Sequence, residues 1–346
     1  MNQLAICAGG LEIYWSSVII ALGVASCFTL SLGLYTSRGG RAVALWVMLP
    51  VAVLLSVVFS RVIHWYCHLE QYAGFLAAMT DFSVGSYCLP GALLGTVLAA
   101  KLTGRLGLCD SVPRLLDAVA PGGALCIALI RLSALFDSSC RSKIIITSPA
   151  LQHLPLASAI SSASGATEYR FATFYVQFLL MLLMTALLLR FFFKRGRTPM
   201  KGDIDRYGHT ARMFLVFYSA LELVMDSTRY DSSFFHFTFI KGLNPYAGFI
   251  SLIQLICAAC LIGALVHYSL RSVRVNGLGL GHWLRWLGFL LGLGATGGAE
   301  YMVQRHGDWY LGCYAVMTAA CALMALTVYS MYRSCREADY DYGAGY

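Results

Sequence analysis

The sequence predicts an all-α polytopic integral membrane protein with about nine transmembrane helices, and three observations predict it. Of 346 residues, 58% are hydrophobic and only 12% are charged, about half the roughly 25% charge of a soluble domain. Nine apolar stretches approach the ~20 residues needed to cross a hydrocarbon core of about 30 Å. Most basic residues stand between those stretches, not within them. The same placement argues against a nucleic-acid footprint, because a net charge of +8 spread over connections forms no single patch.

In order, the stretches run from Leu11 to Tyr35, Ala42 to Tyr66, Tyr87 to Leu102, Leu115 to Phe136, Ala172 to Phe193, Met213 to Thr228, Ala247 to Leu270, Trp286 to Met302 and Trp309 to Tyr332. Each is read as a helix, since in lipid every backbone polar group must be paired within its own segment. The third and sixth are short and polar, so their ends are soft. The first is read as a retained helix and not a removed signal peptide: ten residues without a basic cluster precede it and no small-residue cleavage site follows. Phe191-Phe192-Phe193-Lys194-Arg195 closes the fifth span with aromatics and then basic residues, an interface anchor.

Of the 25 Lys and Arg, 17 lie in alternate connections, with seven between Arg190 and Arg212. The opposite connections hold Arg141, Lys143, Arg170, Lys241 and Arg305. Positive-inside bias then places the amino terminus outside and the carboxyl terminus in the cytoplasm. The largest outer connection, Asp137 to Arg170, is long enough to fold over the membrane face. Residues 337–346, rich in Asp, Tyr and Gly, read as a disordered tail.

Three arginines remain inside spans, Arg61, Arg131 and Arg229, together with Asp117, Glu222, Asp226 and Glu300. Such groups cost about 2.5–3.5 kcal/mol each near the bilayer centre, so each needs a partner or a function. Arg61 stands near a span end, where it can snorkel or serve a site. Asp117 begins span four, where a carboxylate favours a helix amino terminus. Glu300 is placed at an interface. Arg131 lies deep in an apolar run and needs an anionic partner. Tyr218, Glu222, Asp226 and Arg229 fall at i, i+4, i+8 and i+11, one helical face. That stripe is either an internal set of salt bridges, Arg229 with Asp226 and Glu222 with Arg131, or a substrate-facing site. Twelve cysteines, including Cys257-x-x-Cys260 inside a span, form no disulfide or redox framework. His64 and His68 share a face without a third ligand, so neither a metal nor a cofactor is expected.

These residues resemble a family. Asp117-Ala118-Val119-Ala120-Pro121 with Arg131 fourteen residues after the Asp resembles the fourth-helix signature of bacterial prolipoprotein diacylglyceryl transferases. Gly91-Ala92-Leu93-Leu94-Gly95 is similar to the family's Gly-Gly-Leu-Ile-Gly, Ser60-Arg61-Val62-Ile63 to its Gly-Arg-Ile-Gly, and Tyr14-Trp15 to its His-Trp. Tyr218 to Arg229 keeps the spacing of its Tyr-x-x-x-Arg-x-x-x-Glu-x-x-Arg, and Gln254 falls where the family carries a Gln. The resemblance covers about residues 11–275, so the chain divides into a seven-span core over 1–275, two additional helices over 276–336 and the tail.

The resemblance implies transfer of the diacylglyceryl group of phosphatidylglycerol to the lipobox cysteine of a prolipoprotein in the bacterial inner membrane, without a cofactor. It implies catalytic roles for Arg131, Arg229, Tyr218 and Asp226. Glu222, Gln177, Arg61, Gly91 and Gln254 become substrate-binding positions, and the prolipoprotein signal peptide becomes the partner. The departures fall on functional positions: Pro90 stands for a His, Ala134 for an Asn, Ser16 for a Tyr, Glu222 for an Arg, Ser139 for a Glu and Gln177 for a Glu. An inactive or altered-specificity lipid- or peptide-binding homologue is therefore a second expectation, and a transporter using the Glu222 and Asp226 stripe a third.

Overall fold

A computed structural model describes residues 4–8, 11–67, 72–80, 88–136, 142–161, 167–196, 207–229, 250–307 and 309–343. The architecture is that of an all-α polytopic membrane protein, with helices at all nine expected positions. Six are long and apolar enough to cross a membrane: α1 (Trp15–Thr36), α2 (Ala42–Cys67), α5 (Val112–Ser133), α7 (Thr173–Gly196), α9 (Leu252–Asn276) and α11 (Tyr310–Gly343). The other three are α4 (Leu89–Arg105), α8 (His209–Ser227) and α10 (Leu280–Arg305). With 17 residues, α4 is about 25 Å long and falls short of a full crossing. Two short helices, α3 (Phe75–Thr80) and α6 (Pro149–Gln152), lie in connections. The chain forms two compact units.

The first unit draws on residues 1–60, 91–193 and 228–234. Its core joins Leu34 and Tyr35 of α1, Ala44, Leu45, Met48 and Ala52 of α2, Ala99 and Ala100 of α4, Leu115, Ala118 and Val119 of α5, and Phe192 of α7. Small residues let these helices approach, as they do in membrane bundles where lipid is as apolar as leucine. A Cβ on Gly122 of α5 would stand 2.5 Å from Ser31 Oγ and 2.8 Å from Cys27 O of α1. Gly91 and Gly95 of α4, one turn apart, lie against the backbone of Ser60 and Ser56 of α2, and Ser56 Oγ donates to Ala92 O at 3.0 Å. At the α1–α2 connection the Arg38 guanidinium sits 3.4 Å over the Phe192 ring and donates to Phe192 O, while Arg114 donates to Arg38 O.

Helix α5 starts three residues before the expected Leu115. Ser111 takes the extended N-cap conformation and Pro113 stands within the first two positions, where its missing N–H costs nothing. Asp117 thus lies beyond the first turn and is buried, so a helix-terminal charge effect does not account for it.

Two antiparallel hairpins accompany the helices. Strands β1 (Leu4–Ala8) and β2 (Leu11–Tyr14) precede α1; the exposed Tyr14 hydroxyl donates to Glu12 Oε2 at 2.8 Å, and that carboxylate raises the phenol's pKa. Strands β3 (Ala157–Ser161) and β4 (Thr167–Phe171) pair in the long connection, with Ser158 opposite Arg170. The other edge of β4 is taken by residues 144–146: Phe171 N–H donates to Ile144 O and Ile146 N–H to Tyr169 O. The described part of this connection therefore forms a three-stranded layer.

The second unit draws on residues 61–90, 194–227 and 235–346. In it α8 packs on α9 and α11, α9 on α11, and α10 on α11. Buried Leu223 and Val224, Leu261 and Leu265, Phe289, and Met317, Met324, Val328 and Met331 fill the interior. Helix α9 opens with a capping box: Ser251 Oγ accepts from Gln254 N–H, and the Gln254 side chain accepts from Ser251 N–H. It closes at Gly277, whose φ of 70° favours glycine. The exposed side of α10, with Leu284, Leu287, Leu290 and Leu291, is of the kind lipid accepts.

Two expectations change here. Arg61 is only 2% exposed and Glu300 3%, so neither is an interfacial anchor. Glu300 Oε1 accepts from Gln304 Nε2 at 2.7 Å. The backbone of α11 also stays helical through Gly343, past the expected end of the ninth span.

Candidate functional site

The residues singled out in the sequence fall into two groups, one in each unit. In the first, Arg131 lies at the end of α5, half-buried. Arg229 immediately follows Thr228, just past the end of α8, and is held through its backbone. Ser142 and Arg229 form an antiparallel bridge. Thr228 O accepts from Lys143 N–H at 2.8 Å and from Ser142 Oγ at 3.2 Å. The Thr228 hydroxyl lies 3.0 Å from that of Thr173, the first residue of α7. Gln177 is one turn farther along the same face of α7 and is equally buried.

Ser142 is held in turn. Its carbonyl accepts from Arg170 Nη1 at 3.0 Å, and Arg170 also pairs with Glu168, Nη2 to Oε2 at 2.9 Å. Arg170 belongs to β4, so the β3–β4 hairpin fixes the strand-like segment that carries Arg229. Bonds along this path come from backbone groups and hydroxyls, which carry no spacing signature. Sequence reading accordingly missed Ser142, Thr173 and Thr228.

In the second unit, α8 is buried along nearly all its length. Tyr218, Glu222 and Asp226 are 3%, 2% and 4% exposed, so the stripe faces protein and not lipid. Asp226 Oδ2 accepts from Ser251 Oγ at 2.5 Å. Ser251 is also the cap of α9, which brings Gln254 beside Asp226 as part of one polar junction. That junction had a legible signal: Ser-x-x-Gln before an apolar run is a capping-box pattern. The thiols of Cys257 and Cys260 are free.

Arg61 and His64 sit one turn apart at the end of α2, both buried. His64 Nε2 lies 3.2 Å from the Tyr72 hydroxyl, with the rings edge to face. His68 lies outside the described residues, as do Ser139 and Arg141. Pro90 is the buried second residue of α4, and its ring nitrogen can neither take nor give a proton. Gly91 beside it is where α4 meets Ser60.

A search of curated proteins returns no match to this chain. The family model for prolipoprotein diacylglyceryl transferase matches residues 3–269, the whole of α1 to α8 and most of α9. The matched region contains Arg131, Tyr218, Asp226 and Arg229, and it stops before α10 and α11. With more than half of its length matched, the chain belongs to the prolipoprotein diacylglyceryl transferase family.

Proposed function

We propose that this protein is a diacylglyceryl transferase of the bacterial cytoplasmic membrane. It takes the diacylglyceryl group from phosphatidylglycerol, or a closely related phospholipid, and attaches it to a cysteine thiol of a membrane-inserted prolipoprotein. The observation that carries the reading is the match over residues 3–269, a range that includes Arg131 and Arg229, the two arginines that the resemblance makes catalytic.

Moving the group requires the thiol sulfur to attack a glycerol carbon while the carbon–oxygen bond to phosphate breaks. The departing glycerol phosphate gathers negative charge, and fixed cations in a water-poor site stabilise it. Arg131 and Arg229 take that role in this reading, with the Tyr218 hydroxyl as a further donor. The thiol proton must leave a group of pKa about 8.5, and Pro90 removes the family's histidine as acceptor. Asp226 is assigned to it, because Ser251 already fixes the carboxylate and a positioned carboxylate is a competent base. Gln177, Gln254, Arg61, Gly91 and the acidic Glu222 shape donor and acceptor binding. Exchanging the family's Arg for Glu222 shifts the stripe by two charges and favours a less anionic headgroup. Arg38, Arg41 and the basic run after α7 are assigned to the cytoplasmic face.

The replacements at Pro90 and Ala134 favour one second reading, a member that binds lipid and signal peptide without transferring anything. Purified protein incubated with phosphatidylglycerol and a lipobox peptide separates the two. Mass spectrometry is expected to find the diacylglyceryl adduct with wild type and none with Arg131→Ala that remains folded. An inactive wild type beside an active family member would overturn the enzyme assignment for this donor.

A further inference from the structure

Helix α11 lies wholly outside the matched region, yet it runs the full length of α8. Tyr314, near its start, donates to Ser227 O at 3.1 Å at the end of α8. Tyr332, 18 residues on, has its ring 5.4 Å from that of His209, the first residue of α8. Eighteen residues also separate His209 from Ser227, so both intervals measure about 27 Å and the two helices lie antiparallel in register. Helix α9 is registered against α8 in the same way: Ser251 meets Asp226, and the Tyr268 hydroxyl lies 3.2 Å from His209 Nδ1. Tyr268 and Tyr332 rings are 5.5 Å apart, and Cys335 Sγ lies 3.4 Å from Tyr268 O, which closes the far end.

At the near end, two consecutive α8 residues are gripped by different helices: Asp226 through its side chain by α9, and Ser227 through its carbonyl by α11. Ser227 O is among the last four carbonyls of its helix, which have no intrahelical donor. The Tyr314 hydroxyl supplies one at a fully buried point. One bond to the backbone and one to the adjacent side chain together fix both the axial position and the rotation of the last turn.

We propose that Tyr314 is a positioning residue, which through Ser227 sets the α8 face carrying Tyr218, Glu222 and Asp226. The additional C-terminal helix thereby becomes part of the transfer machinery in this member of the family. The inference rests on the reading that this face takes part in transfer. A misplacement on the order of 1 Å at a reacting centre costs up to about a hundredfold in rate, so a partial release of one turn is expected to show in turnover before it shows in folding.

The test uses the full-length protein in nanodiscs as wild type, Tyr314→Phe and, as a matched control in the same helix, Tyr329→Phe. For Tyr314→Phe, kcat for diacylglyceryl transfer is expected to fall about tenfold with KM for phosphatidylglycerol changed less than about twofold, while Tyr329→Phe behaves as wild type. Hydrogen exchange in the last turn of α8 is expected to rise about fivefold in Tyr314→Phe, the effect of losing one net hydrogen bond, with α1 and α5 unchanged. Unchanged kcat, or a loss that merely follows a lower folded fraction, would overturn the proposal. If wild type transfers no lipid, the transferase reading fails by itself, and the exchange measurement still decides whether Tyr314 holds α8: unaltered exchange there refutes it.

Discussion

Replacing Gly91 with alanine tests the close approach of α4 to α2. The new Cβ would stand 2.5 Å from Ser60 N, 2.6 Å from Ser60 Cα and 2.8 Å from Phe59 C. All three are backbone atoms, so no rotamer change relieves the contact. Reaching an ordinary separation of 3.4 Å requires the two helices to part locally by about 0.9 Å. That movement would carry the Ser56 Oγ to Ala92 O bond, now 3.0 Å, out of hydrogen-bonding range, worth about 0.6 kcal/mol inside a membrane bundle. Overpacking of this kind costs about 1–3 kcal/mol, against a gain of up to about 1 kcal/mol from alanine's helix propensity. The net expectation is a loss of about 2 kcal/mol. Gly123→Ala in α5 is the control, because nothing lies within 4 Å of its Cβ; it should be neutral or stabilising by up to about 1 kcal/mol. Unfolding in detergent micelles measures both. If the two variants unfold within about 0.5 kcal/mol of each other, a difference no larger than an ordinary surface substitution makes, the close approach is not real.

Other consequences are as direct. Ser251→Ala removes a helix cap and the donor to Asp226 together, so it should lower stability by about 2–4 kcal/mol and exceed the loss from Ser56→Ala; equal losses in an unfolding titration would contradict the shared junction. Arg170→Met keeps the aliphatic stem but releases Glu168 and Ser142. Its effect on global unfolding should stay within about 1 kcal/mol because the ion pair is partly exposed, whereas exchange of the Lys143 amide should rise. Cys109, between α4 and α5, has its thiol pushed up by burial and then by the Asp110 carboxylate. It should therefore react with maleimide more slowly than the exposed Cys7 at neutral pH, and its rate should climb as pH rises and thiolate forms.

Much of this molecule is legible in one dimension, and the reasons are particular. Helices at the nine expected positions are readable because a segment in lipid must satisfy its backbone internally, a condition that writes itself as apolar length and that six of them meet in full. Arg131 and the stripe of Tyr218, Glu222 and Asp226 stand out for the complementary reason, since ionisable groups are costly there. The same cost argument misjudged Glu300 and left Arg61 open between two readings, because position along a span says how near a residue is to an interface and not whether protein covers it. The start of α5 falls earlier than expected because Pro113 and Arg114 look like a connection, whereas proline is accommodated in the first turn that follows the extended Ser111.

The sequence by itself determined the class, the helix positions and the ionisable groups that stand out among apolar residues, since all three follow from the local cost of placing a group in hydrocarbon. Only the tertiary structure decided how those charges are held. Thr228 and Arg229 are fixed by Ser142, Lys143 and Thr173, Asp226 by Ser251, and the end of α8 by Tyr314. These partners are a backbone amide and hydroxyls from 25 to 87 residues away in the chain. Such groups occur everywhere and carry no periodicity, so packing alone selects which of them meet.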